Sequence, residues 1–107
     1  MAAPVRQGEL MPAVNFYIRW PDGVEQQCYS PSTVIFSAFS PGDEMPLSEF
    51  MHKAEEALTQ ASERVKASYG YYCSSAADQL GQLKIKAQSY KDQNATVAIL
   101  AMSEIAR

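Results

Sequence analysis

Val14-Asn15-Phe16-Tyr17-Ile18-Arg19-Trp20-Pro21-Asp22-Gly23-Val24-Glu25-Gln26-Gln27-Cys28-Tyr29 is the stretch on which the fold turns. From Val14 to Trp20 the residues alternate. Val14, Phe16, Ile18 and Trp20 point one way, and Asn15, Tyr17 and Arg19 the other, the pattern of a half-buried strand. Pro21-Asp22-Gly23 then makes a turn, because proline presets φ and glycine accepts the left-handed position that a three-residue hairpin loop needs. Val24 to Tyr29 is the return strand. Pairing Trp20 with Val24 sets Phe16 opposite Cys28 and places the Cys28 thiol on the apolar face.

Downstream, Ser30-Pro31 reads as an N-cap and first-turn proline, with Ser32 to Phe39 as a short helix. The run Thr33-Val34-Ile35-Phe36 equally fits a strand. Pro41-Gly42-Asp43 is a turn, and Pro46 precedes the main helix, Leu47 to Tyr69. There Leu47, Phe50, Met51, Ala54, Leu58, Ala61 and Val65 form one stripe at three- and four-residue spacing. Ser48 is the expected N-cap, Glu49 and Lys53 a favourable i,i+4 pair, and Gly70 the terminator.

Ser75-Ala76-Ala77-Asp78 resembles a capping box opening a second helix. That helix runs to about Tyr90 and buries Ala76, Leu80, Leu83, Ala87 and Tyr90. Gly81 within it implies close packing against a neighbour, since glycine there costs about 1 kcal/mol relative to alanine. Asp92-Gln93-Asn94 breaks the helix. Ala95 to Met102 suits a third strand beside the hairpin, although Val97, Leu100, Ala101 and Ile105 also fit a helical stripe. The expected fold is α+β, a small antiparallel sheet (the N-terminal hairpin plus a C-terminal strand) packed against two main helices.

The 107 residues have room for one domain. Residues 1–12 read as a flexible N-terminal arm and 13–107 as the folded unit. A composition of 47% hydrophobic and 20% charged residues is that of a globular chain. The longest apolar stretch, Thr96 to Met102, is far short of the roughly 18 residues that cross a bilayer. The N-terminus holds Arg6 but no apolar h-region, which argues against a secretory signal. Net charge is −3, and Arg6 and Arg19 face Glu9, Asp22, Glu25, Asp43 and Glu44 in the first 46 residues. No basic patch gathers to neutralise phosphates, so nucleic acid and anionic membrane are unexpected partners.

The two cysteines are the chemistry-bearing residues of most interest. Cys28-Tyr29-Ser30-Pro31-Ser32 and Cys73-Ser74-Ser75-Ala76 each put a thiol just before an expected helix start, with serines beside it. Helix N-termini stabilise thiolates and bind anions. Cys73 and Cys28 are therefore the candidate catalytic residues, and Ser74, Ser75, Ser30 and Ser32 the candidate ligand-binding residues. The same pattern also describes buried structural thiols beside ordinary capping serines, which is the commoner arrangement. Without a signal peptide, both thiols are expected reduced in a cytoplasm.

A zinc site needs four N or S ligands, and only His52, Cys28 and Cys73 are available, so no metal or other cofactor is expected. One histidine assembles no Ser-His-Asp set, and Glu55, Glu56 and Glu63 read as a solvated helix face. Six tyrosines and one tryptophan are many for this length. Tyr69, Tyr71 and Tyr72 cluster near Cys73, while Tyr17 and Tyr29 lie on the non-core face of the hairpin. Such aromatics suit a protein interface, with Tyr17, Tyr29, Tyr71 and Tyr72 as its candidates, or equally the edges of a core. An open sheet edge offers a second route of association, by strand addition in a dimer or with a partner.

Four segments taken together, Arg19-Trp20-Pro21-Asp22-Gly23, Cys28-Tyr29-Ser30-Pro31-Ser32, Ala61-Ser62-Glu63-Arg64-Val65 and Cys73-Ser74-Ser75-Ala76, resemble a family of short bacterial nitrogen starvation response proteins. The resemblance spans roughly Val14 to Leu83. It implies a cytoplasmic bacterial protein encoded beside a nitrilase, a radical-SAM protein, an acetyltransferase and a flavoprotein. It supplies no catalytic residue. The expected function is a non-enzymatic accessory or interaction protein of a nitrogen-limitation pathway, a homodimer with protein partners from that pathway. The rival is a small thiol-dependent enzyme or binder using Cys73 and Cys28.

Overall fold

The hairpin register follows from its turn. A computed structural model of the chain describes residues 12–70 and 74–105. In it the Trp20 N–H donates to the Val24 carbonyl at 2.8 Å and the Gly23 N–H to the Trp20 carbonyl at 2.8 Å. Gly23 holds φ at 90°, a conformation costly for any residue with a Cβ. Asp22 Oδ1 accepts from the Val24 N–H at 3.1 Å and closes the turn. Strand β1 (Ala13–Arg19) then pairs antiparallel with β2 (Glu25–Ser30), with Phe16 opposite Cys28 as the alternation requires.

The chain next crosses from one edge of the sheet to the other. Its first part is a 3-10 helix, Thr33–Ser37, which settles the open choice between helix and strand for this run. The N-cap is Ser32, whose side chain accepts from the Val34 N–H, and not Ser30 as expected. The Ser30 hydroxyl instead donates to the Ser32 carbonyl at 2.7 Å inside the buried bend. After a turn at Gly42 (φ 93°) comes β3, Glu44–Pro46. No strand was expected at this three-residue segment, which is too short for any alternation to register.

Helix α1 (Leu47–Tyr69) buries Leu47, Phe50, Ala54, Leu58, Ala61 and Val65 along the expected stripe, together with Ala57. Its N-cap is Pro46, not Ser48, and no side chain caps it. The first-turn donors are met from a distance. The Leu47 N–H donates to the Ala95 carbonyl at 2.8 Å and the Ser48 N–H to the Gln93 carbonyl at 2.9 Å. Gly70, at φ 83°, ends the helix with its N–H on the Lys66 carbonyl at 2.7 Å. Lys53 and Glu49 pair at 3.5 Å as anticipated.

Helix α2 (Ser74–Gln88) already includes Ser74, so Ser75 lies inside the first turn instead of capping it, and the helix stops two residues short of Tyr90. Its buried residues are Ala76, Gln79, Leu83 and Ala87, with Leu80 and Tyr90 partly buried. Gly81 is not at a close approach: a Cβ built there meets no heavy atom within 4 Å. Strand β4 (Thr96–Ile105) resolves the last ambiguity in favour of a strand.

The sheet order is β2-β1-β4-β3, antiparallel throughout. The β1–β4 register shifts between Tyr17 and Ile18, leaving Leu100 as the extra residue of a bulge. Val14, Phe16, Ile18, Cys28, Val97 and Ile99 face inward onto the helices. An aromatic row crosses this core from Phe16 to Phe39 (6.2 Å), Phe39 to Phe50 (5.2 Å), Phe50 to Trp20 (5.9 Å) and Trp20 to Tyr90 (5.8 Å). It joins β1, the crossing segment, α1 and the chain just past α2, each contact adding about 0.5–1.5 kcal/mol beyond area burial.

Candidate functional site

The end of the hairpin and the first turns of α2 do meet in space. The Tyr29 N–H, on the edge strand β2, donates to Gln79 Oε1 at 2.9 Å. Gln79 is 8% exposed, and its Nε2 is buried with no hydrogen-bond partner. A buried amide that satisfies a strand edge while leaving its own donor unmet is held by the packing around it. Its polar side chain does not mark Gln79 as a core residue. The signal available was its i+3 spacing from Ala76, the next residue along the core stripe.

Cys28 sits at the inward position predicted for it, 1% exposed. Burial pushes its thiol up to about 12, so at neutral pH it is a protonated, enclosed sulfhydryl. The helix nearest after Cys28 is a five-residue 3-10 turn, too short to present the field of an α-helix N-terminus. Ser30 and Ser32 are buried and engaged with each other and with Val34. Ser74 is exposed and Ser75 half-buried in the first turn of α2. Cys73, Tyr71 and Tyr72 lie outside the described residues.

Tyr17 and Tyr29 are half-buried on the sheet face opposite the helices. Tyr17 pairs with Gln27 and Tyr29 with Asn15, which makes the two tyrosines diagonal neighbours on that face. Ala101, opposite Tyr17 on β4, extends the same surface.

A cleft of about 200 Å³ opens between α1 and α2. Leu58, Ala76 and Leu80 form its apolar side, and Thr59, Ser62 and Glu63 its polar side. Segments Ala61–Val65 and Cys73–Ala76 meet here, the first through Ser62 and Glu63, the second through Ala76. Near the hairpin tip, Lys86 Nζ lies 3.5 Å from Asp22 Oδ2 and 5.3 Å from the Tyr90 ring centroid. The Val24 N–H, and after it the Tyr90 hydroxyl and the Lys86 ammonium, holds the Asp22 carboxyl below its usual range. Asp22, Lys86 and the partly buried Tyr90 thus bring the α2 end of the chain against the turn. Among the described residues, no three His, Cys, Asp or Glu side chains gather as a metal site would require, and His52 is exposed.

The class these features define is a small α+β protein, a four-stranded antiparallel sheet carrying two helices, with Tyr17 and Tyr29 half-buried on the opposite face. No helix among the described residues is long and apolar enough to cross a membrane. Over residues 15–102 the chain matches the family model described as nitrogen starvation-induced protein NitG, and it belongs to that family. No curated protein and no solved structure matches it.

Proposed function

We propose that this protein is a non-enzymatic accessory or interaction protein of a bacterial, cytoplasmic pathway that responds to nitrogen limitation, acting as a homodimer with protein partners from the same pathway. Membership of a family named for induction by nitrogen starvation carries the physiological setting. The sheet face bearing Tyr17 and Tyr29 supports the interaction role, because half-buried tyrosines offer apolar area and a hydroxyl at little entropic cost. The buried, protonated state of Cys28 gives a thiol mechanism no help from that residue.

The test is to incubate the purified protein with a small-molecule extract of nitrogen-limited cells and follow the metabolites by mass spectrometry. No metabolite is expected to change. Turnover by the protein alone, abolished by Cys73→Ser, would overturn the proposal. In parallel, affinity capture from the same cells with the Tyr17→Ser/Tyr29→Ser double variant as control should lose specific partners relative to the parent protein.

A further inference from the structure

Among the described residues this sheet ends in three places, and they are blunted unequally. Edge strand β3 has only three residues and ends in Pro46, which has no N–H to offer. Edge strand β2 is covered at one end only, where Gln79 of α2 accepts from the Tyr29 N–H; toward the turn it carries the exposed Gln27 and the charged Glu25, the kind of side chain that blunts an edge. Strand β4, however, runs far beyond its neighbour. Strand β3 pairs only with Thr96, Val97 and Ala98. Gly42 and Asp43 extend that side by one residue, through the Gly42 N–H on the Ile99 carbonyl and the Ile99 N–H on the Asp43 carbonyl, both 2.8 Å. Past Ile99, no described residue is in register with β4 on that side.

The hydrogen-bond phase of the overhang is fixed. Because Trp20 bonds to Val24, the even-numbered residues of β1 turn their N–H and C=O toward β2 and the odd-numbered ones toward β4. Ala101, Ser103 and Ile105, opposite Tyr17, Asn15 and Ala13, are thereby bonded to β1. Met102 and Glu104 direct their backbone groups to the open side. Ala101, Ser103, Glu104 and Ile105 are all exposed. Among the described residues nothing pairs with this row, and such a row is a template for another strand, against which natural edges are ordinarily blunted.

We propose that Ala101–Ile105 pairs antiparallel with the same segment of a second copy, joining two sheets into one across a two-fold axis at Ser103. The inference rests on the homodimer in the functional reading above and names its surface. The register follows from what the segment tolerates. An axis at Met102 would bring Ile105 of the second copy opposite Ile99, where Gly42 and Asp43 already bond. An axis at Glu104 would set two carboxylates directly opposite each other, which is destabilising. The axis at Ser103 pairs Met102 with Glu104 of the other copy. It also sets Ala101 against Ile105 on the outer face, enclosing an isoleucine that is 36% exposed in the single chain.

Analytical ultracentrifugation of the full chain at tens of micromolar should show a dimer. Glu104→Pro removes a donor from the open side without breaking a ladder bond to β1, and Ser103→Lys places two like charges across the axis from an exposed position. Both variants should sediment as monomers while keeping the parent far-UV CD spectrum. Ser103 pairs with its own copy at a Cα separation of about 4.5 Å, within disulfide reach. Ser103→Cys in a Cys73→Ser background should therefore cross-link on diamide oxidation of the native protein. Ala101→Cys, about 13 Å from its copy, should not. A dimer that persists in both monomerising variants and resists cross-linking at residue 103 overturns the edge pairing and leaves the homodimer standing. A parent chain that stays monomeric overturns the edge pairing and the homodimer together, and leaves the accessory role to the metabolite test.

Discussion

Replacing Gly81 by alanine should stabilise the protein. Gly81 lies inside α2, its φ is not in the left-handed region, and an added Cβ has no heavy atom within 4 Å. The substitution thus gains the helix propensity of alanine with no steric term against it, about 0.5–1 kcal/mol. For a chain of this length that is a rise of roughly 3–6 °C in melting temperature. In urea followed by far-UV CD, the midpoint should move up by about 0.5 M with the slope unchanged. Gly70→Ala provides the opposite sign in the same protein. Its surroundings are equally open, but φ is 83°, so alanine there should cost about 1 kcal/mol through backbone strain alone. A Gly81→Ala variant that melts at or below the parent temperature would refute the reasoning, since it would mean α2 packs more tightly against a neighbour at that turn than its geometry indicates.

Two further outcomes concern the buried groups. Gln79→Leu removes the acceptor for the Tyr29 N–H and, with it, the unpartnered Nε2. The two effects oppose each other, so global stability in urea should change by less than about 1 kcal/mol. Hydrogen exchange at the Tyr29 amide should nevertheless accelerate at least about tenfold, and an unchanged rate would show that the bond does not protect that edge. Cys28 has a folded pKa of about 12 against an ordinary value of 9.0, so its contribution is complete below pH 9 and is lost as pH rises from 9 toward 12. The slope should be about 1.4 kcal/mol per pH unit, absent in Cys28→Ala. Iodoacetamide should modify Cys28 only as fast as the protein unfolds, and rapid modification at pH 7 would contradict its enclosure.

Much of the fold is written in short-range pattern. The Pro21-Asp22-Gly23 turn and the alternation on either side set the hairpin register, and that register alone put Cys28 inward and Tyr17 and Tyr29 outward. The three- and four-residue spacing from Leu47 to Val65 and the glycine at position 70 likewise fixed α1 and its end. These features depend on residues a few positions apart, whose steric and hydrogen-bonding preferences act before any distant contact forms.

The rest depended on partners far along the chain. Val97 and Leu100 fit a helical stripe as well as a strand until β1 supplied the ladder for β4. The first turn of α1 is capped by the carbonyls of Gln93 and Ala95, which left Ser48 without the capping role its type suggested. The open space around Gly81, the pairing that makes Glu44–Pro46 a strand, and the reach of Gln79 to Tyr29 across 50 residues carry no periodic trace. The same holds for the candidate site. Its residue types and faces were legible, but whether a thiol is enclosed or an edge left open is decided only when separate elements pack, because desolvation and unmet backbone bonds are properties of the assembled neighbourhood.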